Sequence, residues 1–155
     1  MKATFHEKDS HAMSVLERIH TDVSGAFSVA STTKHRYYVI FVDDFSRKCW
    51  IFFMFKKSKT YSKFCEFKAP VEKDSGKKVK ALRSDNGGEY ISDEFKDFCK
   101  AKGIRRELIA PHNPQQNGVV ERKNRTIVGA ARAMLHDQGL PLHLWAEACN
   151  TIFYV

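Results

Sequence analysis

The chain of 155 residues has no long apolar run. Its longest, residues 50–55, suits a buried strand and falls far short of the ~20 residues a membrane-spanning helix needs. The first eighteen residues contain no apolar stretch and carry His6, Glu7, Lys8 and Asp9, so nothing there reads as a secretory leader. Cysteine is scarce and unpaired: positions 49, 65, 99 and 149 form no Cys-x-x-Cys pair, and their spacing gives neither a zinc site nor a disulfide framework. Reduced thiols in an intracellular protein are the expectation. Internal repeats and low-complexity tracts are missing too. These absences set aside a helical membrane protein, a disulfide scaffold and a solenoid.

What remains is enough for one domain with a real core. Hydrophobic residues make up 43% and aromatics 12%, too many for a disordered chain. The net charge is +8, and it is localised. Residues 33–80 hold thirteen Lys or Arg against five Asp or Glu, which accounts for +8; the stretches on either side come to −1 and +1. Such an excess attracts phosphate backbones without reading their sequence. A solvated surface that confers only solubility accounts for it equally well.

The periodicities predict an order of elements. Residues 1–14 form a polar leader. Strands are expected over 15–23, 37–45 and 49–55, with Asp43-Asp44-Phe45-Ser46-Arg47 as a hairpin turn. A helix follows over 60–72, although Pro70 should end it near Ala69 or kink it. A strand at 79–83, a helix at 92–102 with Ser92 or Asp93 as cap, and a strand at 104–109 come next. Residues 110–118 are a Pro/Asn/Gly loop. A long helix over 119–138 and a last one from Pro141 close the pattern.

Three acidic residues stand in contexts that chemistry explains better than packing. Asp22 lies in His20-Thr21-Asp22-Val23-Ser24-Gly25, Asp85 in Ser84-Asp85-Asn86-Gly87-Gly88-Glu89-Tyr90, and Glu121 in Val120-Glu121-Arg122-Lys123-Asn124-Arg125. Carboxylates converging from distant positions are what Mg²⁺, a hard cation, takes as ligands. Each acid alone has an ordinary reading. Asp22 can cap a turn, Asp85 can make an Asx-turn before Gly87-Gly88, and Glu121 can pair with Arg125 at i+4. Adjacent Asp43 and Asp44 point to opposite faces, and Glu89 sits at a turn; structural roles are expected for all three.

Taken together, these segments resemble the catalytic core of retroviral and retrotransposon integrases, with thirty-five residues between Asp85 and Glu121. The wording is closest to the copia-type LTR retrotransposons, and Phe41-Val42-Asp43-Asp44-Phe45-Ser46-Arg47 and Pro114-Gln115-Gln116-Asn117-Gly118 add to the likeness. The resemblance implies an α/β, ribonuclease-H-like fold: a mixed five-stranded sheet flanked by helices. It implies a polynucleotidyl transferase that processes DNA 3′-ends and joins them to target DNA. Asp22, Asp85 and Glu121 would hold two Mg²⁺ or Mn²⁺ ions, and Asn86, Gln116, Asn117, Lys123 and Arg125 would contact DNA. The implied partners are element ends, target DNA and further copies of the chain, as a homodimer or higher oligomer, with no membrane. The implied location is the nucleus, after cytoplasmic particles. The family's upstream zinc domain needs paired His and Cys, which His6 and His11 do not supply, so residues 15–155 are expected to be the core alone, truncated at its C-terminus. A ribonuclease-H-type nuclease and a non-catalytic DNA-binding or assembly module from a decayed element are the alternatives.

Overall fold

The computed structural model describes residues 11–25, 30–31, 33–109 and 118–153. The elements run β1 (Ile19–Ser24), β2 (Tyr37–Asp43), β3 (Cys49–Met54), α1 (Thr60–Ser75), β4 (Ala81–Ser84), α2 (Asp93–Ala101), β5 (Arg105–Leu108), α3 (Gly118–Asp137) and α4 (Trp145–Phe153). The strands form one mixed sheet in the order β3-β2-β1-β4-β5. Pairing is antiparallel across β3, β2 and β1, and parallel from β1 to β4 to β5. Most of the predicted loop at 110–118, including Gln116 and Asn117, lies outside the described residues, as do residues 1–10.

Alternation along the strands splits the core between the two faces of the sheet. Ile19, Val39, Phe41 and Leu82 face α1 and α2, where Phe64, Phe67, Phe95 and Cys99 meet them. Phe41 stacks on Phe67 with ring centroids 4.6 Å apart. Tyr38, Ile40 and Val42 face the other way, onto Val120, Ile127, Ala131 and Leu135 of α3 and Trp145, Ala148 and Cys149 of α4. The α3 positions recur at helical spacing, so one stripe of that helix is buried and the other is left to solvent. Helix α3 thereby lies across β1 and β2.

Two expectations need correction. The first strand starts at Ile19 rather than residue 15. Leu16 has a left-handed φ of 66°, and its N–H donates to Asp43 Oδ1 at 2.8 Å, so the segment before β1 is a turn. Pro70 does not end α1 near Ala69; the helix continues to Ser75. Pro70 and Glu66 are both exposed, so water can reach the Glu66 carbonyl that loses its helical donor. Buried Phe64 and Phe67 hold the helix before Pro70. Beyond it, Glu72 accepts from the Val79 N–H and from Lys68 Nζ.

Candidate active site

Asp22 sits in β1 opposite Ile40 of β2, on the side of the sheet that α3 covers. Asp85 follows the last residue of β4, the strand that pairs with β1 in parallel. It makes the Asx-turn read as its ordinary role: the Gly87 N–H donates to Asp85 Oδ1 at 2.8 Å. That bond leaves its other carboxylate oxygen unspoken for in the turn. Glu89 is close behind; a Cβ on Gly87 would stand 2.7 Å from its carboxylate oxygen, so only glycine fits there without displacing it. Tyr90 is buried against the back of β1, its hydroxyl 3.0 Å from Thr21 Oγ1.

The electrostatics of Asp22 are distinctive. Its pKa is pushed up to about 6, first by burial and then by the negative charge of Asp85, with Glu89 adding to the effect. Hydrogen bonds from the Val23 N–H and from Asn124 oppose the rise without cancelling it. The charges that move this group most, Asp85 and Glu89, are both acids. A half-buried carboxylate facing other carboxylates, with no basic side chain paired to it among the described residues, is a site short of positive charge.

Glu121 lies in the first turn of α3, as expected. Its side chain is turned to Arg125 Nη2 at 3.5 Å, and both are well exposed (53% and 76%). Exposed pairs of this kind are weak, so the contact does little to fix Glu121. One turn further along α3, Asn124 Nδ2 donates to Asp22 Oδ2 at 3.1 Å. That bond joins the helix carrying Glu121 to the strand carrying Asp22. Asp22 and Asp85 are thus coupled here, while Glu121 stands on the adjoining helix with its side chain toward solvent. Among the described residues, no three His, Cys, Asp or Glu side chains are gathered tightly enough to hold a metal ion. The donor set still fits a hard divalent cation: carboxylate oxygens only, an uncompensated negative charge, and a third acid held by no strong partner.

The basic candidates separate into two groups. Arg125 shares the Glu121 side of α3. Lys123 faces the β2–β3 hairpin, where its charge counteracts the effect of burial on the Cys49 thiol. There Arg122, Lys123, Val119, Thr126 and Arg47 line an open cavity of about 250 Å³. Arg47, in the hairpin turn with a left-handed φ of 63°, was not among the DNA-contact residues expected from sequence. Asn86 is exposed beside Asp85. Asn124 was also passed over, because its partner lies 102 residues away and no local pattern announces it. Asp43 and Asp44 are structural as read: Asp43 accepts from the Leu16 and Ser46 N–H groups, and Asp44 from Ala12 and His20.

The Integrase core domain family matches residues 13–114. Over 154 residues, 99% of this chain, the identity is 42% to the retrovirus-related Pol polyprotein from transposon TNT 1-94 of Nicotiana tabacum. It is 34% to the corresponding polyprotein from transposon RE2 of Arabidopsis thaliana. The chain spans 12% and 10% of the length of these two curated relatives. Among solved structures, it superposes with a TM-score of 0.72 and 20% identity on a chain of the simian T-cell lymphotropic virus intasome in complex with PP2A regulatory subunit B56 gamma, covering 94% of this chain and 49% of that one. The HTLV-2 integrase catalytic core in complex with magnesium, in dimeric form, gives 0.63 at 24% identity, covering 92% and 86%. At such identities the likeness is one of fold, the ribonuclease-H-like architecture built above.

Proposed function

This chain belongs to the integrase core domain family, and we propose that it is the catalytic core of a retrotransposon integrase, a polynucleotidyl transferase for DNA 3′-end processing and strand transfer. The observation that carries the reading is the uncompensated pair Asp22 and Asp85, beside the helix that bears Glu121. In this reading the three acids hold Mg²⁺ or Mn²⁺, two ions in the active complex. The bound cations would supply Lewis-acid stabilisation of the charge that grows on the attacking and leaving oxygens of a phosphodiester.

The chain's own residues do the rest. Asp22 presents its oxygens from β1 and Asp85 from the turn that directly follows β4, the strand paired with β1, so the sheet brings the two carboxylates to one edge. Glu121 joins them by leaving Arg125, an exchange that loses only an exposed ion pair. Released, Arg125 becomes available to a DNA phosphate on the same side of α3. Arg47, Arg122 and Lys123 offer a second phosphate contact at the hairpin cavity. Asn86, beside Asp85, and Gln116 and Asn117, in the segment before α3, complete the proposed DNA-contacting set. No side-chain nucleophile is required, since water or a DNA 3′-hydroxyl attacks directly.

The proposed partners are element-end and target DNA and further copies of the chain, as a dimer or higher oligomer. The solved neighbours are an intasome and a dimeric core, which supports this. The proposed location is the nucleus, where target DNA is, following cytoplasmic particles. Labelled DNA ends incubated with the protein and Mn²⁺ or Mg²⁺ test the function. Metal-dependent 3′-cleavage or strand transfer is expected. A folded protein that binds DNA without either activity would leave the assembly-module reading in its place.

A further inference from the structure

Asn124 is fixed at both ends of its amide. Its Nδ2 lies 3.1 Å from Asp22 Oδ2, and its Oδ1 lies 3.0 Å from the Tyr38 hydroxyl. The roles follow from the donor inventory. An ionised carboxylate only accepts, so Asn124 must present its NH₂ to Asp22 and its carbonyl oxygen to Tyr38. Tyr38 must then donate, which leaves its oxygen to accept. Ser24, its cross-strand partner in the β1–β2 register, bonds to it and favours its ionised form, as a donor would. The hydrogen bonds therefore run in one direction, from Ser24 to Tyr38 to Asn124 to Asp22, and link β1, β2 and α3.

The surroundings suit a positioning device. The Tyr38 ring is fully buried in the core beneath α3 and α4, so its hydroxyl cannot wander. Asn124 is half-buried, one helical turn from Glu121 on α3. A partner that holds one oxygen of a ligating carboxylate fixes the rotamer of that carboxylate, and such partners typically affect metal affinity ~10–100-fold.

We propose that Asn124, held by Tyr38, is a positioning residue that orients Asp22 for cation binding and sets α3, and with it Glu121, against the metal-binding edge of β1. In this role it acts through Asp22, to which its amide is bonded. This rests on the metal-site reading above and adds two residues to it.

The test measures Mn²⁺ binding by calorimetric titration, with no DNA present, for the wild type, Asn124→Ala, Tyr38→Phe and the double variant. Circular dichroism and the melting temperature of the metal-free proteins report folding. Asn124→Ala is expected to weaken Mn²⁺ affinity by about tenfold or more. Tyr38→Phe keeps the buried ring and loses only the hydroxyl, and is expected to weaken affinity by a smaller factor, about threefold. In the double variant the Tyr38 change should add nothing, because Tyr38 acts only through Asn124. A residue that merely supports the fold would lower the melting temperature and leave this non-additive pattern absent. Two outcomes overturn the proposal while leaving the metal site standing: unchanged Mn²⁺ affinity in folded Asn124→Ala, or additive effects of the two changes. A wild type that binds no Mn²⁺ removes the metal-site reading, and the positioning role with it.

Discussion

Asp22 in β1 and Asp44 in the turn after β2 are both carboxylates drawn out of water, and their environments move them in opposite directions. Burial raises both. At Asp44 that rise is more than reversed by a hydrogen bond from the Ala12 N–H, by His20, and by the charge of Arg47, so its pKa ends below the ordinary value. Arg18 Nη1 also stands 3.8 Å away. At Asp22 the near charges are Asp85 and Glu89, and the pKa goes up to about 6. Among the described residues, the fold therefore supplies Asp44 with donors and positive charge and gives Asp22 no positive partner. An acid that is satisfied from within the chain is structural. One left facing other acids is finished only by something from outside.

His20 sharpens the contrast. It lies two residues before Asp22 in β1, with Nε2 2.6 Å from Asp44 Oδ1. Burial comes first among the effects on its ring and lowers its pKa. A neutral ring must then carry its proton on Nε2 to donate to the carboxylate. Nδ1 is buried without a hydrogen-bond partner among the described residues.

The largest expected effect breaks the Asp22 side. Asp22→Asn, Asp85→Asn and Glu121→Gln should each reduce metal-dependent DNA cleavage and joining to background while the protein stays folded. Turnover on labelled ends, alongside circular dichroism, measures it; near-normal turnover in any one variant removes that residue from the triad. Next comes the Asp44 side. Asp44→Ala leaves the buried His20 ring and the Ala12 N–H without their acceptor and should destabilise the fold by roughly 1–3 kcal/mol, the range for leaving a buried donor unsatisfied. Urea unfolding measures this, and a cost under ~1 kcal/mol would show that the network matters little.

The two sides should also differ in their pH dependence. The folded pKa of Asp22 is raised from 3.8 to about 6, so the native state holds the proton longer than the unfolded chain. Its stability penalty is absent below about pH 4, grows between about 4 and 6, and is complete above. A rise of this size corresponds to up to roughly 3 kcal/mol. Asp22→Asn should then stabilise the metal-free protein at pH 7 and lose that advantage by pH 4. Asp44 has the opposite sign: its stabilisation is present above its ordinary pKa and is lost as pH falls through the lowered one. Unfolding free energies of wild type and Asp22→Asn from pH 4 to 8 test it; a constant difference would contradict the raised pKa. The smallest effects belong to the surface. Arg125→Ala and Lys123→Ala should each weaken DNA binding several-fold and reduce its salt slope by about one. Fluorescence anisotropy at several salt concentrations reads both. Indifference to both changes would move the DNA path toward the basic stretch at 33–80.

Much of this was legible in local pattern. Ser92 caps α2 by accepting from the Phe95 N–H, and Gly76 and Gly103 take the left-handed conformation at helix ends, φ 68° for both. The Asp43–Arg47 turn, the Asx-turn at Asp85 and the Glu121–Arg125 pair all join residues within four of one another, the range over which sequence speaks. The misreadings have physical causes. Leu16, Ile19 and Val23 look alike as apolar anchors, yet Leu16 belongs to a turn whose geometry is held by Asp43, 27 residues on. At Pro70 the early helix end, one of the two expected outcomes, did not occur, and the exposure that lets α1 run on to Ser75 could not be read in advance. The Asn124–Asp22 bond and the seating of Arg47 near Arg122 depend on how α3 lies across the sheet, and no spacing along the chain encodes that.

The account's central claim is that Asp22, Asp85 and Glu121 form a site completed by a divalent cation. Calorimetric melting of the wild type and Asp22→Asn, each with and without saturating Mn²⁺, tests it most directly. A cation that binds only the folded state stabilises it by about 2.7 kcal/mol at a hundred times its dissociation constant. The predicted result is a clear Mn²⁺-dependent rise in the wild-type melting temperature that is lost in Asp22→Asn, although the variant melts higher than the wild type without metal. Wild-type melting unmoved by Mn²⁺, or an equal rise in both proteins, would contradict the claim.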